Sequence, residues 1–317
     1  MQTEKSRILA IAGPTASGKT SLSIALAKVL NGEIVSCDSM QVYRGMDVGT
    51  AKPTEEEMDG VVHHLINVAD PHTPFSAGEY VALATKAAED ILSRGKVPVF
   101  CGGTGLYLDS LLRGGFEETR GDPCVRERWE AFLKENGAHA LHECLQKIDP
   151  ESAEAIHENN VKRVIRALEI YESTGMTKTE ADRRTKAFQS PFEATVVGLF
   201  YPTRELLYAR IEARVDAMLA GGLVEETRRL EAMGVFRSNG TAAQAIGYKE
   251  ILPYLHGEES LECSRERLIL ATRHYAKRQL TWFGAKDYVK RIEMEQGGVL
   301  RRGEDVLQEV LRLWRDA

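Results

Sequence analysis

A three-layer α/β fold with a parallel sheet, plus an all-helical insertion domain, is what this 317-residue sequence predicts. Three observations carry that expectation. Apolar, strand-like runs alternate with segments of helical periodicity in the N-terminal third. The first run leads directly into Gly-Pro-Thr-Ala-Ser-Gly-Lys-Thr at 13–20, a complete phosphate-binding loop of P-loop type. Residues 123–186 then hold no convincing strand, before strand character resumes at 194.

The elements follow in order. Strands are expected at 7–12, 33–37, 62–68, 96–101 and 194–201, and helices at 20–30, 76–94, 104–112 and nearly everywhere after 203. The first helix begins at the phosphate loop and is closed by Asn31-Gly32. Gly137, Asp149-Pro150, Asn159-Asn160 and Gly175 break the 123–186 block into four or five helices. These patterns predict a core formed by 1–115 and 191–317, interrupted by a helical insertion at 116–190.

Composition narrows the function classes. The chain is 43% hydrophobic and 28% charged, which suits a globular protein of about two domains. No apolar run reaches the ~18 residues of a membrane span. The N-terminus runs straight into the first strand, so no signal peptide is expected. Five scattered cysteines, none spaced Cys-x-x-Cys, fit a reducing cytoplasm and argue against structural zinc. His63-His64 lacks metal-pair spacing and is expected to be structural. The formal net charge is −6, yet 265–291 carries eight Lys/Arg against two acids, and 162–190 seven against four. Solvated helix faces explain either stretch alone; two together in an acidic protein point weakly to a polyanion.

The loop binds phosphates through backbone N–H groups, the Lys19 charge and a Thr20 hydroxyl suited to Mg²⁺. Asp38 closes the second strand and should face the same crevice, because ligands of open α/β sheets sit beyond the carboxyl ends of the strands. It could serve as general base, as an acid near the metal, as a ribose-binding acid of the dinucleotide type (disfavoured by the lack of Gly-x-Gly-x-x-Gly), or as a simple cap. The fourth strand ends in Gly-Gly-Thr-Gly (102–105) rather than the acid usual in ATP-hydrolysing sites. Arg210 and Arg214 lie four residues apart on one helix face, where an anion between them would offset their repulsion; pairing with Glu205, Glu212 or Asp216 is the alternative. The 268–282 helix reads as core-packed with a basic outer side carrying Arg273 and Lys277.

With these residues in place, the chain resembles the tRNA dimethylallyltransferases over nearly its whole length. The likeness rests on the phosphate loop and on Asp-Ser-Met-Gln-Val-Tyr-Arg-Gly-Met-Asp-Val-Gly-Thr-Ala-Lys-Pro at 38–53, by far the more specific of the two. His-His-Leu-Ile (63–66), Gly-Gly-Thr-Gly-Leu-Tyr (102–107), Arg-Ala-Leu-Glu (166–169), Gly-Tyr-Lys (247–249) and Ala-Thr-Arg-His-Tyr-Ala-Lys-Arg-Gln-Leu-Thr-Trp-Phe (271–283) add to it. Asn67 and Gly284 depart from the usual Asp and basic residue, at positions with no expected chemistry.

The resemblance implies transfer of a dimethylallyl group from dimethylallyl diphosphate to the N6 amine of an adenosine beside the tRNA anticodon. By this analogy Asp38 is the base, and Gly13, Pro14, Thr15, Ala16, Ser17, Gly18, Lys19 and Thr20, with Arg214 and Arg210, hold pyrophosphate. Mg²⁺ is the implied cofactor, on Thr20, with Thr104 positioning metal-bound or diphosphate oxygens. The anticodon stem-loop would meet Lys162, Arg163 and Arg166 on the insertion, with Arg126 and Glu127 as weaker candidates. Ser39, Met40 and Gln41 would sit beside the flipped base, and Gln244, Gly247, Tyr248 and Lys249 near the loop. A monomer is expected. A small-molecule kinase and a nucleotide-gated RNA-binding switch are the competing readings.

Overall fold

The computed structural model describes residues 5–113 and 121–317, so the predicted boundary at 115/116 lies outside the described residues. Contacts divide the chain into two units, Met1–Leu112 with Pro191–Ala317, and Arg113–Ser190.

The first unit is built on a parallel six-stranded sheet. Its strands are β1 (Ser6–Ala12), β2 (Gly32–Ser36), β3 (His63–His64), β4 (Val97–Gly102), β5 (Phe192–Phe200) and β6 (Val289–Glu293), in the order β3-β2-β4-β1-β5-β6. Around it lie α1 (Lys19–Val29), α2 (Glu55–Met58), α3 (Ala77–Ser93) and α4 (Gly105–Leu112). In the second unit come α5 (Pro123–Ile148), α6 (Pro150–Ala155), α7 (Val161–Thr174) and α8 (Lys178–Ala187). The first unit resumes with α9 (Glu205–Ala220), α10 (Leu223–Ala232), α11 (Val235–Ser238), α12 (Gly240–Ala243), α13 (Tyr248–Leu255), α14 (Leu261–Gly284) and α15 (Gly303–Arg315).

Alternation along β1 explains the layering. Leu9 and Ile11 face a core shared with Leu22 and Leu26 of α1, Ile211 of α9 and Val310 of α15. Ile8 and Ala10 face the opposite core, with Tyr80, Ala84 and Ile91 of α3 and Leu108 of α4. A strand covered on both faces reads as a continuous apolar run. β1 is central, paired with β4 at Ala12↔Gly102 and with β5 at Ala12↔Gly198, while β2 meets β4 at Ser36↔Cys101. The carboxyl ends of these strands therefore converge. At the other end of β2, buried Glu33 accepts from Arg94, Lys96 and His64, and the Arg94 guanidinium holds its carboxyl well below the usual range. His64 is thus structural, as expected.

Two expectations fail. The strand at 62–68 contracts to two residues because Leu65 (φ 61°) and Asn67 (φ 59°) take the left-handed region, and Lys52 holds the Asn67 side chain at 2.6 Å. The C-terminal third is not all helix: β6 closes the sheet, and β7 (Glu295–Gln296) pairs antiparallel with β8 (Val299–Leu300). β6 escaped notice because Lys290 and Arg291 interrupt its apolar residues, as charges commonly do on an edge strand.

In the second unit, Leu141 and Leu145 of α5 pack on Val164 and Leu168 of α7. Gly137 (φ 81°, ψ 173°) leaves the helical region and divides α5 into two helices that meet at a kink, as expected, and Gly175 (φ 73°) ends α7. Asp149 caps α6 through Ser152 N–H and ties α8 through Thr179 N–H and Oγ1 at 2.9 and 2.7 Å.

Candidate active site

A cavity of about 300 Å³ opens beyond the converged strand ends. Its polar wall holds Thr15, Lys19 and Thr20 from the phosphate loop, Asp38 and Ser39 after β2, and Gly102 and Gly103 after β4. Arg214 of α9 and Tyr275, Arg278 and Gln279 of α14 face the same space. Val215, Met218 and Leu268, members of a third apolar cluster, supply its greasy side.

The loop turns into α1 at Gly18, whose φ of 90° is left-handed and costs glycine little. Lys19 Nζ donates to Pro14 O at 2.6 Å. Burial pulls the Lys19 ammonium down to about 8, with Arg214 pushing the same way and Asp38 against it. Burial likewise lowers Arg214. Two crowded cations with depressed proton affinity are a site waiting for an anion. Once the protonation of pyrophosphate itself is corrected for, affinity for it is therefore expected to be flat well below pH 8. Above it, as Lys19 loses its proton, affinity should fall by up to about tenfold per pH unit, measured by titration calorimetry. A flat profile to pH 9.5 would remove Lys19 from anion binding.

Asp38 has two sides. Its Oδ1 accepts from Met40 N–H at 2.8 Å and Gln41 N–H at 3.3 Å, which fixes the 38–41 turn. Oδ2 has no hydrogen-bond partner among the described residues. The neighbouring Cys37 thiol is buried and pushed up to about 12, so it is no nucleophile.

Thr104 stands beside the 38–41 turn. It does not line the cavity; its Oγ1 accepts from Ser39 N–H at 3.0 Å, and its N–H donates to Cys37 O. Its place is to hold the Asp38 turn against the end of β4. Arg210 also differs from Arg214. Its Nε donates to Ala16 O at 2.7 Å, and it lines a separate cavity behind the loop, so it braces the loop's backbone. Among the described residues neither arginine has the carboxylate partner that was the alternative; Arg265 takes Asp216 and Glu212 instead.

Among the residues expected at RNA, Ser39, Met40, Gln41, Gln244 and Lys249 line the cavity. Gly247 and Tyr248 do not. Tyr248 is fully buried, donates to Glu226 Oε1 at 2.7 Å, and packs on Gly49, so its side chain is structural. In the second unit Lys162, Arg163 and Glu127 are exposed. Arg126 and Arg166 both pair with buried Glu169, at 2.9 and 2.8 Å, a use that their charge count concealed. Half of the eight basic residues at 265–291 are spent too: Arg265, Arg267, Arg273 and Lys286 all bind carboxylates.

Sequence reading missed Thr272, Tyr275, Arg278 and Gln279, taking α14 for core with a basic back. The spacing 272, 275, 279 was the available signal: a polar stripe on a helix face that is otherwise buried.

Comparison with known proteins agrees with this geometry. A family described as IPP transferase matches residues 41–286, and one described as isopentenyl transferase matches 6–72. The tRNA dimethylallyltransferase of Halalkalibacterium halodurans is 48% identical over 291 residues, 92% of each chain, and that of Bacillus velezensis 49% over 295 residues, 93% of each. Among solved structures, a full-length tRNA isopentenylpyrophosphate transferase from Bacillus halodurans superposes with a TM-score of 0.70 at 43% identity, over 98% of both chains. A eukaryotic dimethylallyltransferase captured acting on tRNA superposes with a TM-score of 0.75 at 32% identity, over 91% of this chain and 74% of that one. A phosphate loop, an acid beside it and no acid at the end of β4 thus occur in a chain that belongs to the IPP transferase family, the tRNA dimethylallyltransferases.

Proposed function

We propose that this chain transfers the dimethylallyl group of dimethylallyl diphosphate to the N6 amine of an adenosine next to a tRNA anticodon. The observation that carries this reading is one cavity with a carboxylate, Asp38, and a cationic phosphate cradle, Lys19 with Arg214, on its walls. The adenine amine is a poor nucleophile because its lone pair is delocalised into the ring. Its nitrogen forms the new bond to the allylic carbon as the carbon–oxygen bond breaks. The bonding pair leaves on pyrophosphate, and the amine proton passes to Asp38. Lys19, Arg214 and the N–H groups at the start of α1 meet the charge that develops on the leaving group.

Mg²⁺ fits the residues present. The cavity offers the Thr20 hydroxyl and one carboxylate, a sparse oxygen set of the kind that suits an ion keeping its waters and binding substrate phosphates. Thr20 would hold it; the Thr104 hydroxyl is engaged with Ser39. When bound, the ion neutralises diphosphate charge. The target base must leave its stack to reach Asp38, and Ser39, Met40 and Gln41 stand where it would arrive.

Incubation with dimethylallyl diphosphate and unmodified tRNA tests the proposal. Pyrophosphate release with the mass gain of one dimethylallyl group on a single adenosine is expected; ATP consumption with a phosphorylated acceptor would overturn it. Lys162 and Arg163 are exposed and have no ion-pair partner among the described residues, which supports their binding RNA phosphates. Replacing both by Gln should weaken tRNA binding and lower the slope of log K against log salt by roughly 1 to 2. An unchanged slope would return them to ordinary surface.

A further inference from the structure

The phosphate loop is not fully open to a ligand. The N–H of Thr15 donates to Gln279 Oε1 at 2.8 Å, while Gln279 Nε2 donates to Gly103 O at 3.0 Å. Thr15 N–H can only donate and Gly103 O can only accept, so the orientation of the amide has no alternative. Gln279 is 5% exposed, and both it and Thr15 line the cavity. It cannot swing aside freely. A Cβ on Gly103 would lie 2.0 Å from Gln279 Nε2, and one on Gly105 would lie 2.3 Å from the Trp282 ring, so α14 sits hard against the turn after β4. Further along the loop the donors are open: the N–H groups of Gly18, Lys19 and Thr20 have no partner among the described residues, as expected for a helix start.

We infer that Gln279 sets the length of the phosphate cradle, capping the Thr15 N–H so that the loop accepts a diphosphate and disfavours a triphosphate. The inference rests on the proposed use of a diphosphate donor and gives that preference a residue. A third phosphate would extend past the two that the loop's N–H groups cradle, toward the outer end of the loop. Here the Thr15 donor is already taken, and a third phosphate would place its charge against the Gln279 carbonyl oxygen. Gln279 acts through Thr15 and is a positioning residue that also determines specificity.

The test is calorimetric titration of pyrophosphate and tripolyphosphate into the wild type, Gln279→Ala and Gln279→Met, with thermal unfolding of each protein alongside. Met keeps the length of the side chain without its polar atoms, and carries the test if Ala does not fold. The wild type should prefer pyrophosphate by about tenfold or more, and a folded variant should lose most of that preference, because one lost or unmet hydrogen bond to an anion is worth about that factor. A merely structural role would weaken both ligands alike. An unchanged ratio in a folded variant, or a wild type that prefers tripolyphosphate, overturns the inference. A wild type with the expected preference that transfers no dimethylallyl group would sink the proposed reaction and leave the cradle standing.

Discussion

Asp38→Asn is expected to lower kcat by about 10²–10⁴ while leaving tRNA affinity and the KM for the diphosphate donor within about threefold of wild type. Asparagine keeps an Oδ1 that can accept from Met40 N–H and Gln41 N–H, so the 38–41 turn survives. What it removes is the second oxygen's capacity to take a proton. Asp38→Ala removes both, and should add a loss of tRNA affinity through disorder of Ser39–Gln41 side chains at the cavity wall. The pair separates base from anchor. Single-turnover rates with saturating tRNA decide it. If Asn retains near-normal turnover while Ala does not, Asp38 is an anchor and the amine proton goes elsewhere.

Glu226→Ala should be the most damaging change outside the cavity. The Glu226 carboxylate, on α10, accepts from Asp47 N–H and Val48 N–H at 3.0 Å, from Gly49 N–H at 2.9 Å, and from Tyr248 OH at 2.7 Å. It holds the family's most specific segment in shape, and Gly49 and Thr50 of that segment line the cavity. Its loss leaves three backbone donors and a phenol with little water to replace it, at a cost of about 3–5 kcal/mol in unfolding free energy. Glu226→Gln, with one acceptor left, should fall between. Urea midpoints give the stability, and the same preparations should show a raised KM for tRNA. A change below about 1 kcal/mol for Ala would mean that the segment is held by its own turns. Steric fit argues otherwise: a Cβ on Gly49 would stand 2.4 Å from the Tyr248 ring, so glycine and tyrosine are matched across this contact.

The parts of the fold and site that were legible in the sequence share a physical origin: they are local. β1, the phosphate loop and α1 are contiguous, and their apolar spacing and glycines declare them. Asp38 was findable because strand ends face the crevice in an open sheet. What sequence could not show are pairings across long separations. The family resemblance made Arg126 and Arg166 candidates for RNA, but only the fold brings buried Glu169 to them. Tyr248 was expected near the RNA loop, but its side chain is buried and its hydroxyl donates to Glu226. Nor could sequence show that Thr104 Oγ1 accepts from Ser39 N–H and so ties the turn after β4 to the Asp38 turn. The insertion's helices were read correctly from their breakers because each cap is a local event, whereas β6, a strand carrying charges, has no local signature strong enough to beat the helical pattern around it.

The bond between Thr15 and Gln279 spans 264 residues, and this separation has a consequence in time. A ribosome adding about 5–20 residues per second produces the cap roughly 13 to 50 seconds after the loop. Throughout that interval the nascent chain owns a phosphate loop without Gln279, and for about the first three quarters of it without Arg214. β1 likewise waits for β5, which is made only after the whole helical insertion. The closed cavity thus arrives late in synthesis, and a product truncated before α14 would lack the wall formed by Thr272, Tyr275, Arg278 and Gln279.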